Sequence, residues 1–241
     1  GKDVGRYFIS WNGLFLKYGD ILAAPRTFDL FSSEKIIIRE ITGKYPKSII
    51  STYSDEIYLF NMSNISINKK LNKSIDLKYI TVVLNSSLMS YYFINNTAKA
   101  VRQMFPKIIL QDLRQFPFKE ISLKEQEPFI QKADLMLELN KKLQELKQNF
   151  INELNLEKVP TKLQKFEELD FDDFVKEYAK AKKLKFADKL EERNFKNEWQ
   201  RLFENDKKEV LEIQNQINIT DKEIDQMVYK LYDLTPDEIK I

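Results

Sequence analysis

Apolar residues change their spacing near residue 122 of this chain. Before that point they come in short runs. Glu34 to Ile41 holds four isoleucines in eight residues and predicts a strand. Alternate strand positions share a face, which groups Lys35, Ile37, Arg39 and Ile41 against Glu34, Ile36, Ile38 and Glu40. Ser48 to Tyr53 and Glu56 to Met62 predict further strands. Asn61 to Lys73, rich in Asn, Ser and Lys, predicts a loop or a short edge strand. Ile80, Val83, Leu84, Leu88, Tyr91 and Tyr92 recur at helical spacing and predict a helix from Tyr79 to Phe93, with Asp76 placed to cap it. Met104 to Leu110 and Phe116 to Ile121 read as two short strands. Pro106 and Pro117 suit a strand start or edge, because proline cannot donate to a ladder.

After residue 121 the period becomes helical. Ser122-Leu123-Lys124-Glu125 is a capping box. Phe129, Ala133, Met136, Leu139, Leu143, Leu146, Phe150 and Leu154 then mark an amphipathic helix about 45–50 Å long. Pro160-Thr161 interrupts. Phe171 to Lys183 predicts a short helix, and Leu184 to Ile217 contains a second long one. Thr220-x-x-Glu223 reads as another capping box ahead of Ile224 and Val228, and Thr235-Pro236-Asp237-Glu238 starts a last turn. The predicted fold class is α+β. A small, mainly antiparallel β domain spans residues 1–121, and a helical lobe spans residues 122–241. The long helices admit two readings: they pack on one another, or one seam pairs with another chain.

Charge sharpens the division. Residues 1–120 hold 17 basic and 10 acidic side chains, and residues 121–241 hold 22 and 27. A basic half beside an acidic half implies a polyanion partner for the first. The chain has no Cys and no His. That excludes disulfides, zinc sites built on those residues, and Ser-His or Cys-His nucleophile pairs, and it suits a reducing cytoplasm. No apolar run approaches the roughly 20 residues that span a bilayer. The chain opens on Gly1 rather than Met, which reads as a fragment whose N-terminal part lies elsewhere. Glu167 to Asp173 is acidic but lacks the glycine turn and ordered spacing of a cation loop, so Asp170 reads as a helix cap. Asp237 and Glu238 are adjacent at a helix start, where acids are favoured without a metal. No metal site is expected.

The candidate binding residues are Arg26, Lys35, Arg39, Lys44, Lys47, Lys99, Arg102, Gln103 and Lys107, placed in turns or strands of the basic half. Arg bonds bidentately to guanine, and Gln does so to adenine. Lys contacts mostly phosphate, which fixes register without reading sequence. Tyr45 and Tyr53 are candidates for stacking, but core packing is the stronger reading for Tyr53.

The run Leu84-Asn85-Ser86-x-Leu88-x-x-Tyr91-Tyr92-Phe93, a basic loop, Pro106-x-Ile108 and Phe116-Pro117-Phe118 resemble the TaqI-like C-terminal specificity domain of adenine-specific DNA methyltransferases and type IIG restriction-modification enzymes. Ala24-Pro25-Arg26, Glu34 to Glu40 and the tail Ile224 to Ile239 fit the same family. The resemblance implies recognition of a specific duplex DNA sequence. It implies a methyltransferase domain, absent from this chain, that holds S-adenosylmethionine and flips the target adenine, while this domain holds the duplex. It also implies that the long helices brace the recognition domain. The Asn/Asp-Pro-Pro-aromatic motif of such enzymes is absent here, and no two glycines lie two apart to make a cofactor loop. No catalytic or cofactor-binding residue is therefore expected in this chain. The other reading is a helical protein–protein interaction module without DNA binding; salt-dependent duplex binding discriminates. Incubated alone with labelled S-adenosylmethionine and duplex DNA, the chain is expected to incorporate no methyl group; incorporation above background contradicts this.

Overall fold

The computed structural model describes residues 2–11, 13–22, 24–69, 74–97, 100 and 106–240. The fold is α+β. It divides into two compact units, Gly1–Leu137 with Thr220–Ile241, and Glu138–Ile219.

The first unit opens with a two-stranded ribbon, β1 (Val4–Gly5) and β2 (Phe8–Ile9), followed by a one-turn helix, α1 (Asp29–Ser32). Three antiparallel strands come next: β3 (Lys35–Arg39), β4 (Ser51–Ser54) and β5 (Asn64–Asn68), in the order β4-β3-β5. Ile36, Ile37 and Ile38 are all fully buried, so both faces of the central strand are covered. A run of consecutive isoleucines, rather than a clean alternation, is what a strand buried on both sides requires. The ribbon packs against β3 and β4, and so does α2 (Leu77–Leu84). The apolar run Glu56 to Met62 forms no strand. Its backbone is engaged elsewhere: Tyr58 N–H donates to Phe31 O, and Glu56 O accepts from Lys35. The ladder goes instead to the polar segment Asn64–Asn68, a short, half-buried edge strand.

The predicted helix from Tyr79 to Phe93 is two helices, α2 and α3 (Ser87–Asn96). Asp76 caps the first by accepting from Lys78 N–H. The break falls at Asn85-Ser86, whose short polar side chains compete with the helical backbone. Ser86 leaves helical geometry and its hydroxyl accepts from Met89 N–H at 3.2 Å, which starts α3. Met104 and Phe105 lie outside the described residues. The described end of that run makes one isolated bridge, Ile41 to Lys107, and a one-turn helix, α4 (Leu110–Leu113). Phe116 to Ile121 forms no strand either. Side-chain hydroxyls take its carbonyls: Tyr232 Oη donates to Pro117 O at 2.6 Å, and Tyr79 Oη to Lys119 O at 2.7 Å. Among the described residues no strand follows residue 121.

The helix α5 (Leu123–Glu153) begins at the predicted capping box, with Glu125 N–H on Ser122 Oγ and Ser122 N–H on Glu125 Oε2. The Ser122 hydroxyl, together with the Ser122 N–H, donates to Glu125 Oε2 and holds the Glu125 carboxyl below its usual pKa. A short 3-10 helix (Leu163–Glu168), α6 (Phe171–Lys182) and α7 (Lys189–Leu231) follow. Asp170 caps α6 by accepting from Asp173 N–H at 2.8 Å. Thr220 starts nothing. It is buried inside α7, which runs unbroken, because Ile213, Ile217, Ile224 and Val228 continue the helical period across it. Glu223 pairs with Lys132 instead of capping.

The second unit is held by rings. Phe150 stacks on Phe166 at 3.9 Å and also meets Phe174, Trp199 and Phe203; Phe174 stacks on Phe203 at 4.7 Å. Leu139 and Leu143 from α5, and Leu154 just past its end, complete this core, so the seam read from the sequence is filled within the chain. Phe150→Ala leaves a void under several rings and is expected to cost ~3–5 kcal/mol, measured by urea unfolding of the full chain. A loss below ~1 kcal/mol would mean that the core collapses into the gap.

Candidate nucleic-acid interface

The turn from Gly43 to Ser48 carries two of the candidate lysines. It closes through Gly43 N–H on Ser48 O at 2.7 Å and Lys47 N–H on Lys44 O at 3.1 Å. A Cβ on Gly43 would stand 3.1 Å from Lys47 O and 3.3 Å from Ile50 Cδ1, so the closed turn favours glycine there. Lys44 and Tyr45, at its tip, are exposed. Its base is pinned: Ser90 Oγ of α3 accepts from Ser48 N–H at 3.0 Å.

Lys47 points to acids rather than to solvent. Its Nζ lies 2.7 and 2.8 Å from the two oxygens of Asp225, and 3.3 Å from Asp221 Oδ1. Asp225 also accepts from Ser87 N–H at 2.9 Å and Ser87 Oγ–H at 2.7 Å, at the start of α3. Asp221 takes the Arg6 guanidinium, with Nη1 at 3.0 Å, and the same guanidinium donates to Asn85 O. Burial works against the Arg6 charge, but the Asp221 hydrogen bond and the nearby anions outweigh it and hold its pKa above the usual value. Burial pushes the neighbouring Tyr7 hydroxyl up as well. One turn of α7 thus ties together the β1–β2 ribbon, the Gly43–Ser48 turn and the N-terminus of α3.

Other candidates are placed differently. Lys35 is fully buried at the start of β3, and its ammonium donates to Ser33 O at 3.0 Å and Glu56 O at 2.6 Å. Burial lowers its pKa. This corrects the expectation that Lys35 and Arg39 present one basic strand face: the sheet is covered on that side, and only Arg39, at the strand's end, is half exposed. Arg26 is exposed in the segment before α1. Lys107 lies against Glu40–Thr42 at the root of the turn: Ile108 N–H donates to Glu40 O, Thr42 N–H donates to Pro106 O, and Lys107 Nζ pairs with Glu40 at 3.2 Å. Lys99, Arg102 and Gln103 lie outside the described residues. Tyr45 is exposed, whereas Tyr53 is half buried with Lys78 Nζ over its ring at 5.1 Å.

Arg6, Asn85, Ser87, Asp221 and Asp225 escaped sequence reasoning. Asp221 and Asp225 stand four apart on one helix, where like charges repel by ~0.2–0.5 kcal/mol unless a cation sits between them. That spacing was the available signal. Asn85 and Ser87 lie within or beside the Leu-Asn-Ser motif, yet neither reads as a ligand group. Asn85 Oδ1 accepts from Ser51 N–H at 3.1 Å and Ser51 Oγ–H at 3.0 Å, while its Nδ2 donates to Ser51 O at 2.9 Å. The motif joins α2 to the sheet.

Residues 1–118 match the TaqI-like C-terminal specificity domain. The match runs from the β1–β2 ribbon to the Phe116-Pro117-Phe118 segment, and points to DNA sequence recognition in a methyltransferase or restriction system. Residues 122–228 match a second family, a domain of unknown function. No curated protein and no solved structure matches the chain. The TaqI-like region ends short of Asp221 and Asp225, although both complete its anchoring. Among the described residues no cluster of three or more acidic side chains is arranged to hold a metal, and no helix is long and apolar enough to cross a membrane.

Asn85→Ala removes three buried bonds at once. Ser51 O keeps the Tyr7 N–H, but Ser51 N–H and Oγ–H lose their acceptor. Each orphaned group costs ~1–3 kcal/mol, so a loss of at least about 2 kcal/mol is expected in chemical denaturation. A loss below ~1 kcal/mol would show that the α2–sheet junction does not depend on this side chain.

Proposed function

We propose that this chain reads a duplex DNA sequence for an adenine-specific DNA methyltransferase or a type IIG restriction-modification enzyme. In this reading the methyltransferase domain is a separate part of the parent enzyme and holds S-adenosylmethionine. Residues 1–121 act as the recognition domain, and residues 122–241 as a helical lobe that braces it, with the tail from Thr220 packing among the first. The parent enzyme works in a reducing cytoplasm. One observation carries the proposal: within the TaqI-like region, a turn pinned at its base presents Lys44 and Tyr45 at its tip, with Lys107 bridged to Ile41 at its root. A rigid base with an exposed cationic and aromatic tip suits contact with a phosphate backbone and with base or sugar faces. Arg26 and Arg39 supply further cationic reach. Lys47, committed to Asp225, contributes through the turn rather than through phosphate. Arg102 and Gln103 remain the candidates for base edges, and Lys99 for phosphate.

Duplex binding by the full chain is expected to weaken steeply with salt. Lys44→Ala should lower binding to all sequences alike and reduce the slope of log K against log salt by about one. Arg102→Ala, in the intact parent enzyme, should widen the set of methylated sites and cost ~1–3 kcal/mol at one position. Sequencing of methylated positions reads this out. Salt-independent binding, or no duplex binding at all, would leave the helical interaction module as the better reading.

A further inference from the structure

The anchors of the Gly43–Ser48 turn divide unequally. Ser90 Oγ holds backbone alone, at Ser48 N–H and, at 3.5 Å, at Ile49 N–H just past the turn. Between its ends the turn is tied to another element through Lys47, a long side chain whose freedom is removed by two carboxylates. Those carboxylates are themselves fixed. Asp225 is held by both donors of Ser87, and Asp221 by the forked Arg6 guanidinium. Side chains in the cluster are only 13–20% exposed, so the ion pairs are shielded from the solvent screening that weakens surface pairs. Asp225 and Lys47 are 178 residues apart.

We propose that Asp225, backed by Asp221, is a positioning residue for sequence discrimination: it sets where the Gly43–Ser48 turn, and with it Lys44 and Tyr45, meets the duplex. The inference rests on the DNA-recognition reading above. It goes beyond that reading by placing a determinant of specificity in α7, outside the region matched to the specificity family. The hydroxyl of Tyr45, exposed at the tip, can bond a base edge, and such a bond depends sharply on direction, whereas the attraction of Lys44 to phosphate does not. A turn released from Asp225 keeps its attraction for DNA and loses its aim.

The test uses the full chain and a pool of short duplexes with a randomised centre, sequenced before and after capture. Two variants interrupt the same arm. Asp225→Asn keeps an acceptor for Ser87 and removes the ion pair; Lys47→Met keeps the Ser87–Asp225 bonds and releases the turn. Both should retain total DNA with a near-normal salt slope. Each should also lose roughly tenfold discrimination at one base pair, about the share of a single good base contact. Asp225→Glu should recover most of it. A variant that captures the wild-type set at uniformly lower yield, with a lowered melting temperature, would make the role merely structural and overturn the proposal. A reduced salt slope in Lys47→Met alone would make Lys47 a phosphate contact and overturn it too. If the wild-type chain enriches no sequence, the DNA-recognition reading itself falls, and the positioning role falls with it.

Discussion

Two carboxylates one helical turn apart, Asp221 and Asp225, tie three elements of the first unit to one helix. Their mutual repulsion is offset because each meets a cation from a different strand or turn. Arg6 brings the β1–β2 ribbon, Lys47 the Gly43–Ser48 turn, and the Ser87 donors bring α3. Removing one partner of such a shielded group strands the other charge, which costs more than the pair contributes. The helix that carries them therefore acts as the keel of a region whose other elements are short. A two-residue ribbon and strands of four or five residues bury too little surface to orient themselves alone.

A second set of bonds works at the same junction by a different principle. Asn85 pairs with Ser51 through both faces of its amide, so a side chain continues the hydrogen bonding of edge strand β4. Gln126, buried in α5, does the same at the far end of α2. It accepts from Asp76 N–H and donates to Ser74 O and Ile121 O. Lys119 closes the C-terminus of α7 through Leu231 O and Asp233, where a cation suits the helix dipole. Polar side chains thus occupy the backbone groups that a larger sheet would have paired, and the exposed tip at Lys44 and Tyr45 stands on this fixed base.

The second unit is built by the opposite means. Its core is rings and aliphatics, with one buried acid, Glu167, paired to Lys147 at 2.6 Å. Side-chain identity here serves packing.

The sequence by itself determined what depends on local period and local chemistry. It settled the α+β class, the central isoleucine strand, the caps at Asp76, Ser122 and Asp170, the apolar seam of α5 and the resemblance to a specificity domain. Each is set by neighbours a few residues away. The tertiary structure decided what depends on distant partners. What the Asn85 amide binds was settled by Ser51. Whether Glu56 to Met62 joins the sheet was settled by Lys35 and Phe31, which took its backbone groups. Thr220 looks like a cap because Thr-x-x-Glu is one in isolation, but buried apolar neighbours on both sides keep the helix running through it. The same holds at the candidate interface. Basic residues are legible as charges, but whether a lysine faces DNA or an aspartate 178 residues away depends on where the chain brings that aspartate. Lys47 and Lys44 differ by three positions and by nothing in composition; only the packing of α7 assigns one to the scaffold and the other to the surface.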